Sequence, residues 1–208
     1  EISRIWQQER DKVTNNAEAI SAALQQPRYE ASPNQLSSAE IHQAADVIIN
    51  ATDPRYGGLK GTPKFPQAPI FTFLWEAYLR SRNEKARDAV LTTLTQISKG
   101  GIYDHLAGGI ARYSTDHKWL APHFEKILYA NAHYLSLLTR AWLATEMPLY
   151  ATRIAQTIEF VLREMTGDSG CFTSSYDADS EGKEGKYYVW SQDEIQKLLA
   201  PDEFEIFR

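Results

Sequence analysis

Along most of this 208-residue chain the hydrophobic positions recur every three or four residues, the period of an α-helix. The first such run covers residues 3–25, where Ile5, Val13, Ala17, Ile20 and Leu24 form a loose apolar stripe beside a broad polar face. A helix of that kind packs on another domain or covers an edge. Residues 26–36 interrupt the pattern with turn residues and two prolines and read as a connection between units. Ser38 opens a second helix, with Ile41, Ala44, Ala45, Ile48 and Ile49 at helical spacing. Residues 68–82 carry Phe71, Phe73, Leu74, Trp75, Tyr78 and Leu79 almost all round and predict a helix buried on several sides. The next helix spans 84–98, with Asn83 as N-cap and Gly100–Gly101 as a C-cap stop.

Pro122 suits the first turn of a further helix, which runs to about Thr145 on a stripe of Phe124, Ile127, Leu128, Leu135, Leu138 and Trp142. Another follows over 148–165. Two strands, 171–176 and 186–190, then flank an acidic turn. Ser191 and Glu194 make a capping-box signature for the last helix.

Two irregular stretches stand out between these helices. Residues 53–66 hold three glycines and three prolines; residues 100–131 hold four of the eleven glycines and three of the five histidines. The second stretch passes from Gly-rich turn to short strand to helix. In strict alternation Arg112, Ser114 and Asp116 share one strand face, opposite Ala111, Tyr113 and Thr115. No exact repeat is present, but a plan of two helices followed by a Gly-marked segment recurs around Gly57–Gly58, Gly100–Gly101 and Gly170. Helical hairpins with elaborated loops at one end predict an all-α fold of the α/α toroid kind, with short β-hairpins in the loops.

Composition narrows the picture. A chain 43% hydrophobic and 24% charged is one globular domain or a large piece of one. Its 12% aromatic content fits either an aromatic core or an aromatic-lined cavity. The net charge of −5 and the lack of a basic run argue against a nucleic-acid partner. No apolar run approaches the roughly 20 residues of a membrane span. Cys171 is the single cysteine, which excludes an intrachain disulfide or CxxC motif and is compatible with a reducing, cytoplasmic location. Both ends read as cuts through a longer protein.

The candidate chemistry concentrates in residues 100–131. His105, Arg112, Tyr113, Asp116 and His117 lie on its turn and strand, and His123, Glu125, Lys126 and Tyr129 on the helix that follows, Glu125 and Tyr129 one turn apart. His and Glu are the usual acid/base groups, and Arg with Tyr anchors hydroxyls or carboxylates. The same residues also suit a polar network that fixes the loop to the helix start. Asn131, inside the apolar stripe, is a backbone clamp or a ligand contact, and the clamp is the better fit. His133 reads as a satisfied helix histidine. DADSEGKEG (177–185) matches calcium-loop positions 1, 3 and 6 but has Glu181 at 5 and Tyr188 at 12, so the closing ligand is missing. It is a solvated turn, or it points Asp177 and Asp179 into a cavity. GGLKGTPKFP is not a P-loop, though Lys64 and Phe65 could line a site mouth. With no HExxH, GxSxG or Cys–His pair, no metal and no cofactor are expected.

Four motifs carry a resemblance: GGxY at Gly100–Tyr103, GGIxRYSxDxxW at Gly108–Trp119, PHFEKxLYxN at Pro122–Asn131 and DADSEGxEGKYYVW at Asp177–Trp190. With KFP at Lys64–Pro66, they make residues 50–195 resemble the YyaL-type (DUF255) family. The resemblance implies a thioredoxin-like domain followed by an (α/α)6 toroid similar to N-acylglucosamine 2-epimerases and six-hairpin glycosidases. Residues 1–30 would then be the tail helix and linker of the thioredoxin-like part. Residues 31–208 would be the first half of the toroid, truncated at its C-terminus. The implied activity is that of a carbohydrate-active enzyme, isomerase/epimerase-like or glycosidase-like. His123, Glu125, Asp177 and Asp179 would move protons; Lys64, Tyr103, His105, Arg112, Tyr113, Tyr129 and Trp190 would hold a sugar-like substrate. The alternative is a non-catalytic binding or scaffold toroid serving the thioredoxin-like domain of the same full-length chain.

Overall fold

The computed structural model describes residues 2–25 and 37–208, and the chain divides into two units, Glu1–Ser37 and Ser38–Arg208. In the first, the single predicted helix is two, α1 (Ile2–Gln8) and α2 (Arg10–Gln25), with a bend at Glu9. Hydrogen bonding carries through the bend, since the Glu9 N–H donates to the Ile5 carbonyl (2.8 Å) and the Val13 N–H to that of Glu9 (3.2 Å). The predicted linker over 26–36 and the boundary at 30/31 lie outside the described residues.

The second unit holds α3 (Ser38–Ala51), α4 (Ala68–Ser81), α5 (Glu84–Lys99), α6 (Leu128–Thr145), α7 (Pro148–Arg163) and the short α8 (Gln192–Leu198) and α9 (Pro201–Phe207). Tight corners join α4 to α5 and α6 to α7. At each, a left-handed residue (Arg82, φ 57°; Glu146, φ 53°) closes the first helix. Asn83 caps α5, its side chain accepting from the Lys85 and Ala86 N–H groups. Helix α4 packs on α6 and α5 on α7, while α3 lies against α4 and α5. The core between these layers is built from Phe71, Leu74 and Trp75 of α4, Val90, Leu94 and Ile97 of α5, Leu137 and Leu138 of α6, and Tyr150 of α7. Each such side chain contributes about 1.5–3 kcal/mol of apolar burial. Leu79 stays exposed at the end of α4, so that helix is not covered all round as its composition predicts.

Because the hairpins turn tightly, the three long loops all lie at the other end of the helices. The first two begin with one device. Thr52 bridges to Leu59 and Tyr103 to Ile110. Asp53 and Asp104 each accept from two N–H groups just ahead, Arg55 and Tyr56 or Leu106 and Ala107. A left-handed glycine pair, Gly57–Gly58 or Gly108–Gly109, then closes the turn. A buried lysine seals each loop: Lys64 Nζ lies 3.1 Å from Asp53 Oδ2, and Lys126 Nζ 2.7 Å from Asp104 Oδ2. The third loop bridges Thr166 to Phe172 and has Gly167 where the others have aspartate. The repeat thus falls at Gly108–Gly109, not at Gly100–Gly101. Gly100 does end α5, but its backbone is extended (φ −77°, ψ 167°) rather than left-handed. It must be small because a Cβ there would sit 2.7 Å from the Trp119 carbonyl oxygen.

Three two-residue antiparallel ladders lace the loops: β1 (Tyr113–Ser114) with β2 (Pro122–His123), β3 (Lys126–Ile127) with β4 (Ser175–Tyr176), and β5 (Asp179–Ser180) with β6 (Lys183–Glu184). They correct three expectations. The helix predicted from Pro122 starts only at Leu128, so Glu125 and Tyr129 are not a helical i, i+4 pair. The alternating strand stops at Ser114, because Asp116 turns the chain by accepting from the Lys118, Leu120 and Ala121 N–H groups. Residues 186–190 are not a strand: residues 185–188 form a turn, with the Tyr188 and Val189 N–H groups on the Gly185 carbonyl, and 189–190 are irregular.

Candidate functional site

The site grows from the segment between β2 and α6. The ladder to β1 sets Tyr113 opposite His123, and their rings stack at 4.7 Å and 12°. Phe65 also packs on Tyr113, its ring tilted at 4.9 Å. His123 Nδ1 lies 2.6 Å from Glu184 Oε1, and its Nε2 lies 3.8 Å from Glu125 Oε2. Arg112 NH1 donates to the same Glu125 oxygen at 2.7 Å, and the Arg112 N–H donates to the Glu125 carbonyl at 2.8 Å. Glu125 beside it pushes the Arg112 guanidinium above its ordinary value. A four-membered relay results, Arg112–Glu125–His123–Glu184.

Glu184 selects the histidine tautomer. A carboxylate can only accept, so neutral His123 carries its proton on Nδ1 and leaves Nε2 as a base. At 3.8 Å Glu125 is too far for a direct hydrogen bond to that nitrogen but close enough to stabilise positive charge on it. The sequence drew attention to Asp177 and Asp179 in the acidic hairpin and passed over Glu184. Which carboxylate returns to His123 depends on the β5–β6 register and on Gly185 (φ 72°), whose bare Cα meets the Phe124 ring. Phe124 in turn stacks on Tyr188 at 5.3 Å.

Beside the relay lies a cavity of about 500 Å³ between the first turns of α4 and α6, lined in part by Phe65, Gln67, Ile70, Arg112, Tyr129 and His133. A second cavity of about 430 Å³ is lined by Lys126, Phe160, Glu164, Asp177, Asp179 and Tyr187, among others. Here burial pushes the Lys126 ammonium down. Burial also pushes Asp104 up, but Lys126 and the Ala107 and Leu106 N–H groups outweigh it, and the carboxyl ends below its ordinary value.

The predicted site residues therefore part company. Arg112, Tyr113, His123 and Glu125 come together, and Tyr129 lines the adjoining cavity with Arg112 and Phe65. Asp177 and Asp179 line the other cavity, although Asp179 is paired across the β5–β6 ladder with Glu184. Lys64 is buried and committed to Asp53 and to the His117 carbonyl (3.0 Å), so it lines no mouth. Tyr103 is buried under Arg153, 4.3 Å above its ring, with its hydroxyl 3.2 Å from Thr157 Oγ1. His105 is held between the Gly100 carbonyl (2.9 Å) and Arg153 NH2 (2.8 Å). Trp190 lines a separate depression with Lys186, Tyr187 and Glu194. Asn131 is a clamp: its Oδ1 accepts from the Ile110 N–H (2.8 Å) and its Nδ2 donates to the Ile110 and Ile127 carbonyls (3.2 and 3.0 Å).

Among solved structures, a sugar epimerase from a ruminal bacterium superposes with a TM-score of 0.59 at 15% identity, covering 71% of this chain and 44% of the epimerase. Cellobiose 2-epimerase from Spirochaeta thermophila gives 0.57 at 18%, covering 67% and 39%. The two helical layers are thus those of a partial α/α toroid. No family model matches the chain. Human spermatogenesis-associated protein 20 is 33% identical over 95% of this chain and 27% of its own length. The mouse protein is 39% identical over 71% of the chain and 20% of its own length. An uncharacterized protein of Caenorhabditis elegans is 28% identical over 94% and 28%. The chain spans about a quarter of the length of these curated relatives. In motif order, fold and identity it belongs to the YyaL/DUF255-type family of spermatogenesis-associated protein 20.

Proposed function

We propose that residues 38–208 are part of a carbohydrate-active toroid of the isomerase or epimerase kind, with His123 moving the proton. The observation that carries this reading is His123, oriented through Nδ1 by Glu184 and joined through Glu125 to Arg112, which lines a cavity together with Tyr129. Solved structures of the same fold include proteins described as sugar epimerases, which raises the expectation without assigning residues. In the proposed step, Nε2 takes the proton from the carbon next to a sugar carbonyl, and the C–H electron pair moves into an enediolate. Glu184 stabilises the imidazolium that forms. Return of the proton to either face or to the neighbouring carbon gives epimer or isomer. A glycosidase reading has less support, since Asp177 and Asp179 line a cavity that includes neither His123 nor Arg112. Residues 1–30 are proposed, as before, to be the tail of a thioredoxin-like domain.

The scaffold reading keeps one observation in its favour: Lys64, His105 and Asn131 all spend their polar atoms wholly or partly on loop backbone. A deuterium-exchange screen separates the two. The full-length protein is incubated with aldoses and 2-ketoses in D2O, and label next to the carbonyl is followed by NMR. Exchange is expected, falling about 100-fold or more in His123→Gln and less in Glu184→Gln. Absence of exchange across the panel overturns the proposal and favours the scaffold.

A further inference from the structure

The cavity between the starts of α4 and α6 has a charge character the chain as a whole lacks. Acidic residues outnumber Lys and Arg by 27 to 22, yet none of the described residues lining this cavity is acidic. Its ionisable side chains are Arg112, His133 and Tyr129; Gln67 is polar, and the rest of the lining, Phe65 included, is apolar. Arg112 is fixed at two points by Glu125, through the backbone and through NH1. Among the described residues only NH1 takes a hydrogen-bond partner, so the rest of the fork is available toward the cavity it lines. Guanidinium is the group best shaped to take a planar or tetrahedral oxyanion on two parallel N–H bonds. The first turns of two helices, of 14 and 18 residues, add positive potential at the same place.

We infer that the substrate of this cavity is a sugar carrying an oxyanion, a carboxylate or a phosphate, which Arg112 holds while the sugar ring packs on the aromatic lining of Phe65 and Tyr129. The inference rests on the carbohydrate reading above and narrows its substrate class. In the relay Glu125 then has a second task. It competes with the ligand for Arg112 and sets how strongly the guanidinium binds.

The test is calorimetric binding of glucose, glucuronate and glucose 6-phosphate to the full-length protein, without reference to turnover. At least one of the two anionic sugars is expected to bind about tenfold or more tighter than glucose, and comparing them distinguishes carboxylate from phosphate. Arg112→Gln should abolish that preference. Glu125→Gln should widen it, because the competing charge is gone. A merely structural Arg112–Glu125 pair would make both substitutions weaken binding together. Equal affinity for all three sugars, no binding by any, or parallel weakening in the two variants overturns the inference. Equal binding with proton exchange on neutral sugars would remove the anion and leave the proposed activity standing. Selective anionic binding without exchange on any sugar would do the reverse.

Discussion

Replacing Asn131 by leucine is expected to destabilise the chain by about 3 kcal/mol, although the two side chains are nearly the same size. The residue is fully buried in the first turn of α6 and makes three hydrogen bonds, one from the Ile110 N–H and two to the Ile110 and Ile127 carbonyls. Leucine fills the space, so no cavity forms. The Ile110 N–H, buried with its residue, loses its partner outright. Three bonds at about 1 kcal/mol net give about 3 kcal/mol, and the orphaned donor sets the upper end near 5 kcal/mol. Added apolar burial offsets part of this. Urea denaturation gives the global change, and amide exchange at Ile110 reports the local one. A loss below about 1 kcal/mol with unchanged Ile110 exchange would refute the clamp. Asn131→Asp sharpens the test. Its carboxylate can still accept from Ile110 but faces two carbonyl oxygens, which favours the protonated form and raises its folded pKa. That variant should therefore lose stability as pH rises, the opposite of the usual aspartate.

Three further outcomes follow from the packing. Gly109→Ala places a Cβ 2.6 Å from Phe160 Cδ1 at φ 80°, whereas at Gly182 (φ 73°) nothing lies within 4 Å. Thermal melts should show about 1 kcal/mol lost at Gly182, from backbone conformation alone, and about 3 kcal/mol or more at Gly109. Lys126→Met leaves Asp104 without its buried partner and should cost about 3 kcal/mol by urea titration. Because the Asp104 carboxyl is held below 3.8, its contribution is complete above that pH and lost as pH falls through the folded value. Acid titrations of Asp104→Asn should accordingly show a flatter acid limb than the wild type. The buried Tyr134 hydroxyl lies 2.7 Å from Ser98 Oγ, so Tyr134→Phe and Ser98→Ala should each cost about 1 kcal/mol. The double variant should cost clearly less than their sum by thermal unfolding.

The helical layers were legible because local periodicity decides them. Helices α3, α5 and α7 begin and end close to where apolar spacing, the Asn83 cap and Pro148 put them. The capping box at Ser191 and Glu194 forms as its spacing predicts. What spacing could not convey was pairing at a distance. The duplicated Asp–Gly–Gly loops share few letters beyond Asp53 and Asp104, the glycine pairs, and Lys64 and Lys126. The lysines stand at unequal distances from their aspartates, so the shared buried ion pair is invisible until the chain is folded. That pairing explains why Lys64 is structural: a lysine needed to seal a loop has no ammonium left for a substrate.

The same reasoning accounts for the segment read as a helix. Pro122, the apolar stripe and the helix beyond all favour helix locally. Two ladders, and the Arg112 N–H on the Glu125 carbonyl, hold residues 122–127 extended instead. The consequence is chemical. In an extended segment residues two apart share a face. His123 and Glu125 turn together toward Arg112 and Glu184, while Phe124 and Lys126 turn together toward Tyr188 and Asp104. On a helix, two residues apart means about 200° of rotation, and His123 would face away from Glu125. The string HFEK shows no apolar–polar alternation because both faces are partly buried, one by a polar relay and the other by a stacked ring and an ion pair. The partner that completes the relay, Glu184, comes from 61 residues downstream. The relay is therefore a property of the β-laced loops, and a substitution that let residues 122–127 wind into α6 would dismantle it while leaving the toroid's helical layers intact.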